Sequence, residues 1–156
     1  MDAWNVVKDM ELYQTTAVGS GGSLSMQSGK INVLLFGRMG SCANTMKVAN
    51  SLEALLTEDA ADEVNVYLLD ISQPRSDVVQ SVNQAGWNHI DVCSSPDNSG
   101  YYGTYLWALV NKTIRPAGGS ITLPGVFIFD RNQAVTLSET GLVTQDRLAE
   151  VLLDSG

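Results

Sequence analysis

Two long runs of apolar residues dominate the pattern of the chain. Residues 31–36 (Ile-Asn-Val-Leu-Leu-Phe) and residues 64–71 (Val-Asn-Val-Tyr-Leu-Leu-Asp-Ile) are almost entirely apolar. Runs of this kind are typical of strands that are buried on both faces of a sheet. Between them, apolar residues recur at the spacing of one helix face, at Val48, Leu52, Leu55 and Leu56. A strand, a helix and a strand in this order predict a right-handed parallel crossover.

Shorter elements follow the second run. Val78 and Val82 predict a helix that Gly86 closes, and residues 90–93 predict a short strand that ends at Cys93. Another helix is predicted where apolar residues return at helical spacing, at Tyr102, Leu106, Leu109 and Val110.

The last part of the chain predicts a hairpin and a closing helix. Pro124 opens a strand over residues 125–129, and the turn-forming residues 130–133 lead into a second strand over residues 134–137. The final helix is predicted to start at Thr144, and its apolar residues are Val143, Leu148, Val151 and Leu152.

The first residues carry a less specific pattern. Residues 4–13 fit helical spacing and also fit an edge strand. The glycine-rich residues 19–23 predict either a linker or the turn of a hairpin, because glycine adopts positive φ without steric cost. Leu24 and Met26 alternate with serines, which predicts a short strand. We therefore divide the chain into an N-terminal extension or hairpin, residues 1–22, and one domain, residues 23–156.

Composition and charge narrow the classes of partner. The chain has 156 residues, of which 44% are hydrophobic and 17% charged, and this is the size and composition of one domain. A formal net charge of -8 repels phosphate backbones, so we expect no nucleic acid partner. No apolar run reaches the roughly 18 residues that a membrane helix needs, so we expect no membrane insertion of the chain as given.

Cysteine and histidine are too rare for a metal centre or a disulfide framework. The chain contains two cysteines, Cys42 and Cys93, and one histidine, His89. Two cysteines this far apart in sequence do not form a local metal motif. We therefore expect neither a metal nor another cofactor, and the reactive chemistry of the chain falls to its thiols.

Two segments resemble a known family. Residues 122–133 (Thr-Leu-Pro-Gly-Val-Phe-Ile-Phe-Asp-Arg-Asn-Gln) are similar to the cis-proline, apolar strand and hairpin turn of TlpA-like and redoxin-type proteins of the thioredoxin-like superfamily. The apolar run 33–36 is followed by Cys42, where that family has its active-site motif. The resemblance covers residues 20–154. It implies an α/β thioredoxin-like fold, a central mixed sheet flanked by helices, with a strand-helix insertion of the TlpA/redoxin type.

The motif at Cys42 departs from the family pattern. The usual Cys-x-x-Cys is here Cys42-Ala43-Asn44-Thr45, so a hydroxyl replaces the second thiol. Because a dithiol cycle needs a second cysteine to release the substrate, the sequence predicts a monothiol redox protein. The candidate catalytic residues are Cys42, Thr45 and Pro124. The candidate supporting residues are Arg38, Asn44, Leu123 and Cys93.

Each candidate has an expected role. The thiolate is the nucleophile, and the positive end of a helix dipole at Cys42 would stabilise it. Thr45, one turn on, is placed to donate a hydrogen bond to the sulfur, or it is a helix-start hydroxyl with no redox role. Arg38 would add positive charge if it folds back. The resemblance implies that a cis bond before Pro124 brings the Leu123 backbone beside Cys42, where partner chains pair.

Two further functions stay open at this point. A thiol peroxidase of the glutathione-peroxidase-like type has a single reactive residue followed by Gly-x-Thr, which Cys42-x-x-Thr45 resembles, and a glutamine near the position of Gln73. In that function Cys93 would resolve a sulfenic acid. The other is a non-catalytic thioredoxin-fold binding module that has only the peptide-pairing groove.

The partners expected for the leading function are protein or low-molecular-weight thiols and disulfides. The resemblance favours an extracytoplasmic location if an N-terminal signal or anchor has been removed from the chain. We also expect Cys42 and Cys93 to lie more than about 7 Å apart between Cα atoms in the reduced fold, which is beyond the reach of a disulfide. A free cysteine can also be only a small buried apolar residue, as we expect for Cys93.

Overall fold

A mixed sheet of seven strands organises the described residues. The structure is a computed structural model that describes residues 12–16, 19–24, 29–39, 42–56, 63–70, 75–94 and 123–154. The strands are β1 Leu12–Thr16, β2 Gly19–Leu24, β3 Ile31–Gly37, β4 Val64–Asp70, β5 Ile90–Ser94, β6 Gly125–Phe129 and β7 Val135–Thr140. The helices are α1 Ala43–Leu55, α2 Arg75–Ala85 and α3 Gln145–Asp154. None of the helices in these ranges is long and apolar enough to cross a membrane.

The strand order across the sheet is β2-β1-β5-β4-β3-β6-β7. The three central strands β3, β4 and β5 are parallel, and β6 and β7 continue the sheet in the antiparallel sense. At the other edge, β1 pairs antiparallel with both β5 and β2. The crossover predicted from the two apolar runs is therefore present, with α1 between β3 and β4.

The central strands are apolar because neither of their faces is exposed. Every residue of β3 is buried, and β4 is buried except for the half-buried Asn65. One face of the sheet shares a core with the helices, which includes Val33, Leu35, Val66, Val48, Leu52, Leu148 and Val151. Full burial of a Val or Leu side chain stabilises the fold by about 1.5–3 kcal/mol, so these two strands and their helices supply much of the driving force for folding.

The predicted turns and helix ends are confirmed by backbone geometry. Gly86 follows α2 with φ 66° and donates its N–H to Val82 O, as a glycine at a helix end does. Gln133 has φ 70° in the turn between β6 and β7. Thr144 Oγ1 accepts the Arg147 N–H at 3.2 Å, which caps the start of α3 where the sequence placed it.

The N-terminal prediction needs a correction. The glycine-rich residues 19–23 are neither a linker nor a turn, because they lie within β2 and pair with β1. Backbone hydrogen bonds alone define a strand, so a run of glycine and serine can form one where a neighbouring strand is in place. Residues 12 and 13 belong to a strand, while the rest of the segment 4–13, Met26 and the predicted helix around Leu106 lie outside the described residues.

Candidate functional site

Cys42 stands at the start of α1, immediately after the loop that leaves β3. Its backbone is extended, with φ -117° and ψ 103°, and its carbonyl accepts the Thr45 N–H at 3.1 Å. In the described part of the chain no side chain caps this helix, and its first turn contains no acidic residue. The half-buried Cys42 is thus the N-cap residue of α1, at the positive end of the helix dipole, where the sequence placed it.

Leu123 and Pro124 lie against the thiol. The peptide bond between them is cis, as expected, and the Cys42 Sγ–H donates to Leu123 O across 3.9 Å. The ladder between β3 and β6 explains this proximity, because Phe36 pairs with Gly125 and so brings the start of β6 to the end of β3. Three of the predicted site residues are thus brought together from segments 81 positions apart in sequence.

Thr45 contacts the backbone that precedes Cys42. Its side chain is fully buried, and Oγ1 accepts the Arg38 N–H at 3.3 Å. A hydrogen bond to the Cys42 sulfur is not among those found for the described residues. The side chain lies against Gly37 at the end of β3, which places its hydroxyl within reach of the Arg38 amide. The hydroxyl therefore anchors the loop that precedes Cys42.

Arg38 and Asn44 flank the thiol without a side-chain partner in the described ranges. Arg38 is exposed, and its backbone N–H and carbonyl bond to Thr45 and Cys42 respectively. Asn44 is half-buried in the first turn of α1. The contribution expected of the Arg38 charge stays a prediction, since the guanidinium contacts no described group near the sulfur.

Cys93 is separated from Cys42 by the width of β4. It is fully buried in β5, opposite Leu69, and both cysteines are free thiols. Adjacent strands are about 4.8 Å apart, so β5 lies about 9.6 Å from β3, and Cys42 lies beyond the end of β3. Burial, with a smaller effect of the Asp91 carboxylate, raises the pKa of the Cys93 thiol. Burial and protonation both work against a role for Cys93 as a nucleophile.

Sequence reasoning missed Asp70, the last residue of β4. Its side chain is fully buried, and Oδ2 accepts the Met39 N–H at 3.0 Å. Asp70 was included in the apolar run 64–71 as an ordinary strand residue. The signal that it carried was a carboxylate at the carboxyl end of a buried parallel strand, where the ligand and catalytic groups of α/β sheets collect.

The described ranges contain no group of His, Cys, Asp and Glu side chains that could hold a metal ion. The chemistry of this site comes from one sulfur, the helix start behind it and a backbone carbonyl beside it. Such a set can form and break a bond to sulfur, and it presents an acceptor to an extended chain.

Comparisons by sequence and by structure give different results. No family model matches the sequence, and no curated protein matches it. The fold, in contrast, is similar to that of many solved structures. One is a thioredoxin-family thiol:disulfide interchange protein from Chlorobium tepidum TLS, with 14% identity, 93% of this chain and 92% of that chain covered, and a TM-score of 0.70.

Two more structures show the same relationship. A secreted disulfide oxidoreductase of Mycobacterium tuberculosis, described as homologous to E. coli DsbE, is 15% identical over 96% of this chain and 98% of that chain, with a TM-score of 0.65. StoA from Bacillus subtilis is 14% identical over 93% of this chain and 98% of that chain, with a TM-score of 0.62. The chain therefore has a fold similar to that of these proteins, the thioredoxin-like fold.

Proposed function

We propose that this protein carries out thiol-disulfide exchange with Cys42 as its single nucleophile. The observation that carries the proposal is the placement of Cys42 Sγ at the uncapped start of α1, 3.9 Å from the carbonyl of Leu123. The names of the structural neighbours support the same chemistry, since they are thiol:disulfide interchange proteins and disulfide oxidoreductases.

The exchange proceeds in two balanced steps. The Cys42 thiolate attacks one sulfur of a substrate disulfide, forms a mixed disulfide with it, and releases the other sulfur as a thiolate that takes up a proton. A second thiolate, from a protein or from a low-molecular-weight thiol, then attacks the mixed disulfide. This attack forms a new disulfide between substrate and attacking thiol and returns the Cys42 thiolate. The electron count is unchanged at Cys42 over the cycle.

The second thiolate must come from another molecule, because the chain has no cysteine besides Cys42 and Cys93. Thr45 has an oxygen where a dithiol motif has its second sulfur, and its hydroxyl is bonded to the Arg38 amide. Cys93 is fully buried two strands away. The mixed disulfide at Cys42 is therefore expected to persist until an external thiol arrives.

The substrate would bind as an extended chain beside Pro124. The Leu123 carbonyl lies next to the sulfur, so a substrate amide that donates to it would hold the substrate disulfide near Cys42. Backbone pairing of this kind recognises the extended backbone of a substrate more than its side chains. It therefore favours protein or peptide substrates. A low-molecular-weight disulfide would react without this contact.

Reaction with oxidised glutathione tests the proposal. The folded protein should gain one glutathionyl group at Cys42, measured by intact mass and peptide mapping. The Cys93→Ser variant is the matched control and should be modified at the rate of the parent, whereas Cys42→Ser should stay unmodified. A parent protein that reacts no faster than a free cysteine peptide, or that reacts at Cys93, would contradict the proposed function.

A binding module is the second candidate, and the loss of a second cysteine at Thr45 is what favours it. A module of this kind would bind a peptide through the carbonyl of Leu123, and the Cys42 sulfur would not react. Capture of a peptide partner by the Cys42→Ser variant with the affinity of the parent would favour this candidate. A peroxidase cycle resolved by Cys93 has less support, because that thiol is buried and kept protonated.

A further inference from the structure

Three hydrogen bonds hold residues 38, 39 and 42, between β3 and α1. Thr45 Oγ1 in α1 accepts the Arg38 N–H at 3.3 Å. Asp70 Oδ2 at the end of β4 accepts the Met39 N–H at 3.0 Å. The Cys42 N–H donates to Arg38 O at 3.1 Å, which closes the loop on itself. Two consecutive loop amides are thus bonded to side chains from two different elements.

Asp70 is placed to act on this loop by the register of the sheet. It lies opposite Gly37 in the parallel ladder of β3 and β4, so its carboxylate is beside the point where the chain leaves β3. Asp70 is two residues from Leu68 and therefore on the same face of β4, and Leu68 belongs to the core that the helices share. The side chain of Met39 is also buried, with 6% of its surface exposed, so this residue is fixed by both backbone and side chain.

We propose that Asp70 is a positioning residue for Cys42 and acts through the Met39 amide. The inference rests on the proposed function, in which the Cys42 sulfur must approach a disulfide in line with the bond that breaks. Met39 follows Arg38, whose carbonyl accepts the Cys42 N–H. Loss of the hydrogen bond between Asp70 and the Met39 amide would therefore shift Arg38 and, with it, Cys42. Displacement of a reacting group by about 1 Å can lower a rate by about a hundredfold.

Other carboxylates bind backbone amides in the same manner but far from the thiol. Asp130 Oδ1 accepts the N–H groups of Asn132 at 2.8 Å and Ala134 at 3.0 Å. It follows β6 at the end opposite to Pro124, and the five residues of that strand span about 16 Å. Asp130 therefore provides a matched control, which removes the same kind of bond without touching the Cys42 loop.

The test compares four proteins in reaction with a dipyridyl disulfide, whose released thiopyridone is coloured. The parent, Asp70→Asn, Asp70→Leu and Asp130→Ala are each measured for the second-order rate at Cys42, in a Cys93→Ser background. Asparagine has a side-chain oxygen that can accept the Met39 N–H, and leucine has none. We expect Asp70→Asn and Asp130→Ala to react within about twofold of the parent, and Asp70→Leu about tenfold more slowly.

Thermal unfolding of each variant separates positioning from stability. A folded Asp70→Leu protein that reacts at the rate of the parent overturns the inference, and so does an Asp70→Asn protein that is as slow as Asp70→Leu. If Asp70→Leu does not fold, hydrogen exchange of the Met39 amide in the parent decides. Protection equal to that of the β3 amides supports the inference, and exchange at the rate of an open loop overturns it.

Failure of the proposed function has a different signature. In that case the parent protein reacts no faster than a free cysteine peptide, and the variants share its rate. A fast parent with equally fast variants leaves the proposed function intact and rejects only the role of Asp70.

Discussion

The hydroxyl of Thr45, in the place of a second thiol, changes the chemistry available to the site. Position 45 is fully buried, while Cys42 in the same turn is only half-buried. The outer thiol can therefore meet a substrate, whereas the inner position is closed to solvent and its hydroxyl bonds to the Arg38 amide. A sulfur at the inner position would be suited to resolve a mixed disulfide, because it would be sheltered from other partners.

Replacement of Thr45 by cysteine is expected to convert the protein into a dithiol oxidoreductase. The variant should form a disulfide between positions 42 and 45 on oxidation and should turn over repeatedly with a disulfide substrate and dithiothreitol. The lost hydrogen bond to the Arg38 amide should cost about 1 kcal/mol of unfolding free energy. Thiol counting before and after oxidation, together with a turbidity assay of insulin reduction, measures the conversion.

The matched control for this variant is Thr45→Ser, which has the hydroxyl and lacks the sulfur. It should form no intramolecular disulfide and, like the parent, should need an external thiol to release each mixed disulfide. A Thr45→Cys protein that folds, has two accessible thiols and still forms no disulfide would show that the turn geometry, and not the missing sulfur, prevents a dithiol cycle.

The contact between α1 and β3 depends on the absence of a side chain at Gly37. A Cβ built at this glycine would lie 2.7 Å from Thr45 Oγ1 and closer still to Thr45 Cγ2. Only a glycine lets the first turn of α1 approach the end of β3 in this way. The close approach in turn allows the Thr45 hydroxyl to reach the Arg38 amide.

We therefore expect Gly37→Ala to destabilise the protein by about 1–3 kcal/mol, the usual cost of forcing extra volume into a packed interior. Urea unfolding measures this change. The double variant Gly37→Ala with Thr45→Ala removes the two closest contacts and leaves the Cβ of residue 45 at 3.1 Å, so it should be more stable than the sum of the two single changes predicts. Additive changes in unfolding free energy would contradict direct contact between these positions.

Whether the sequence could predict an element depends on which interactions stabilise that element. The strands β3 and β4 and the helices between and after them were predicted because burial on both faces or on one face leaves an apolar pattern. The glycine-rich part of strand β2 was not predicted as a strand, because pairing of its backbone with β1 requires no particular side chains. The place of Asp70 at the end of a buried strand was visible in the sequence, but its role was not, because its partner is a backbone amide 31 residues away in sequence.

The candidate site also contains features that the sequence predicted and features that it did not. Cys42, Leu123 and Pro124 were predicted through resemblance, and their proximity follows from the ladder of β3 and β6. The bond between the Thr45 hydroxyl and the Arg38 amide was not predicted, because sequence spacing gives the position of a residue along a helix but not the phase of that helix against a sheet.

At the scale of the whole molecule, the second face of the sheet places a thiol and a phenol in a shared buried environment. Tyr67 in β4 pairs with Asp91 in β5, and Cys93 lies two residues further along β5. Burial is the largest cause that raises the pKa of Tyr67, to about 12, and Asp91 and Cys93 add to it. The same causes, burial first and then Asp91, raise the pKa of Cys93.

These shifts predict that the fold loses stability in alkaline solution. Above about pH 8.5, the normal pKa of a thiol, the unfolded chain releases the Cys93 proton while the folded chain retains it. A rise in pH therefore stabilises the unfolded state relative to the folded state. The stability linked to this group is complete below that pH and is lost as pH rises toward the raised folded pKa. Tyr67 adds to the loss above about pH 10, where an unfolded tyrosine begins to ionise.

Urea unfolding at pH 7, 9 and 10.5 measures the effect in the parent and in Cys93→Ala. The unfolding free energy of the parent should fall more steeply with pH, by at most about 1.4 kcal/mol per pH unit for one proton. The alanine variant starts lower because it leaves a small cavity, but lysine and other surface groups titrate alike in both proteins and cancel from the difference. Because only the buried thiol distinguishes the two slopes, parallel lines would mean that Cys93 is reached by solvent and would restore it as a candidate resolving thiol.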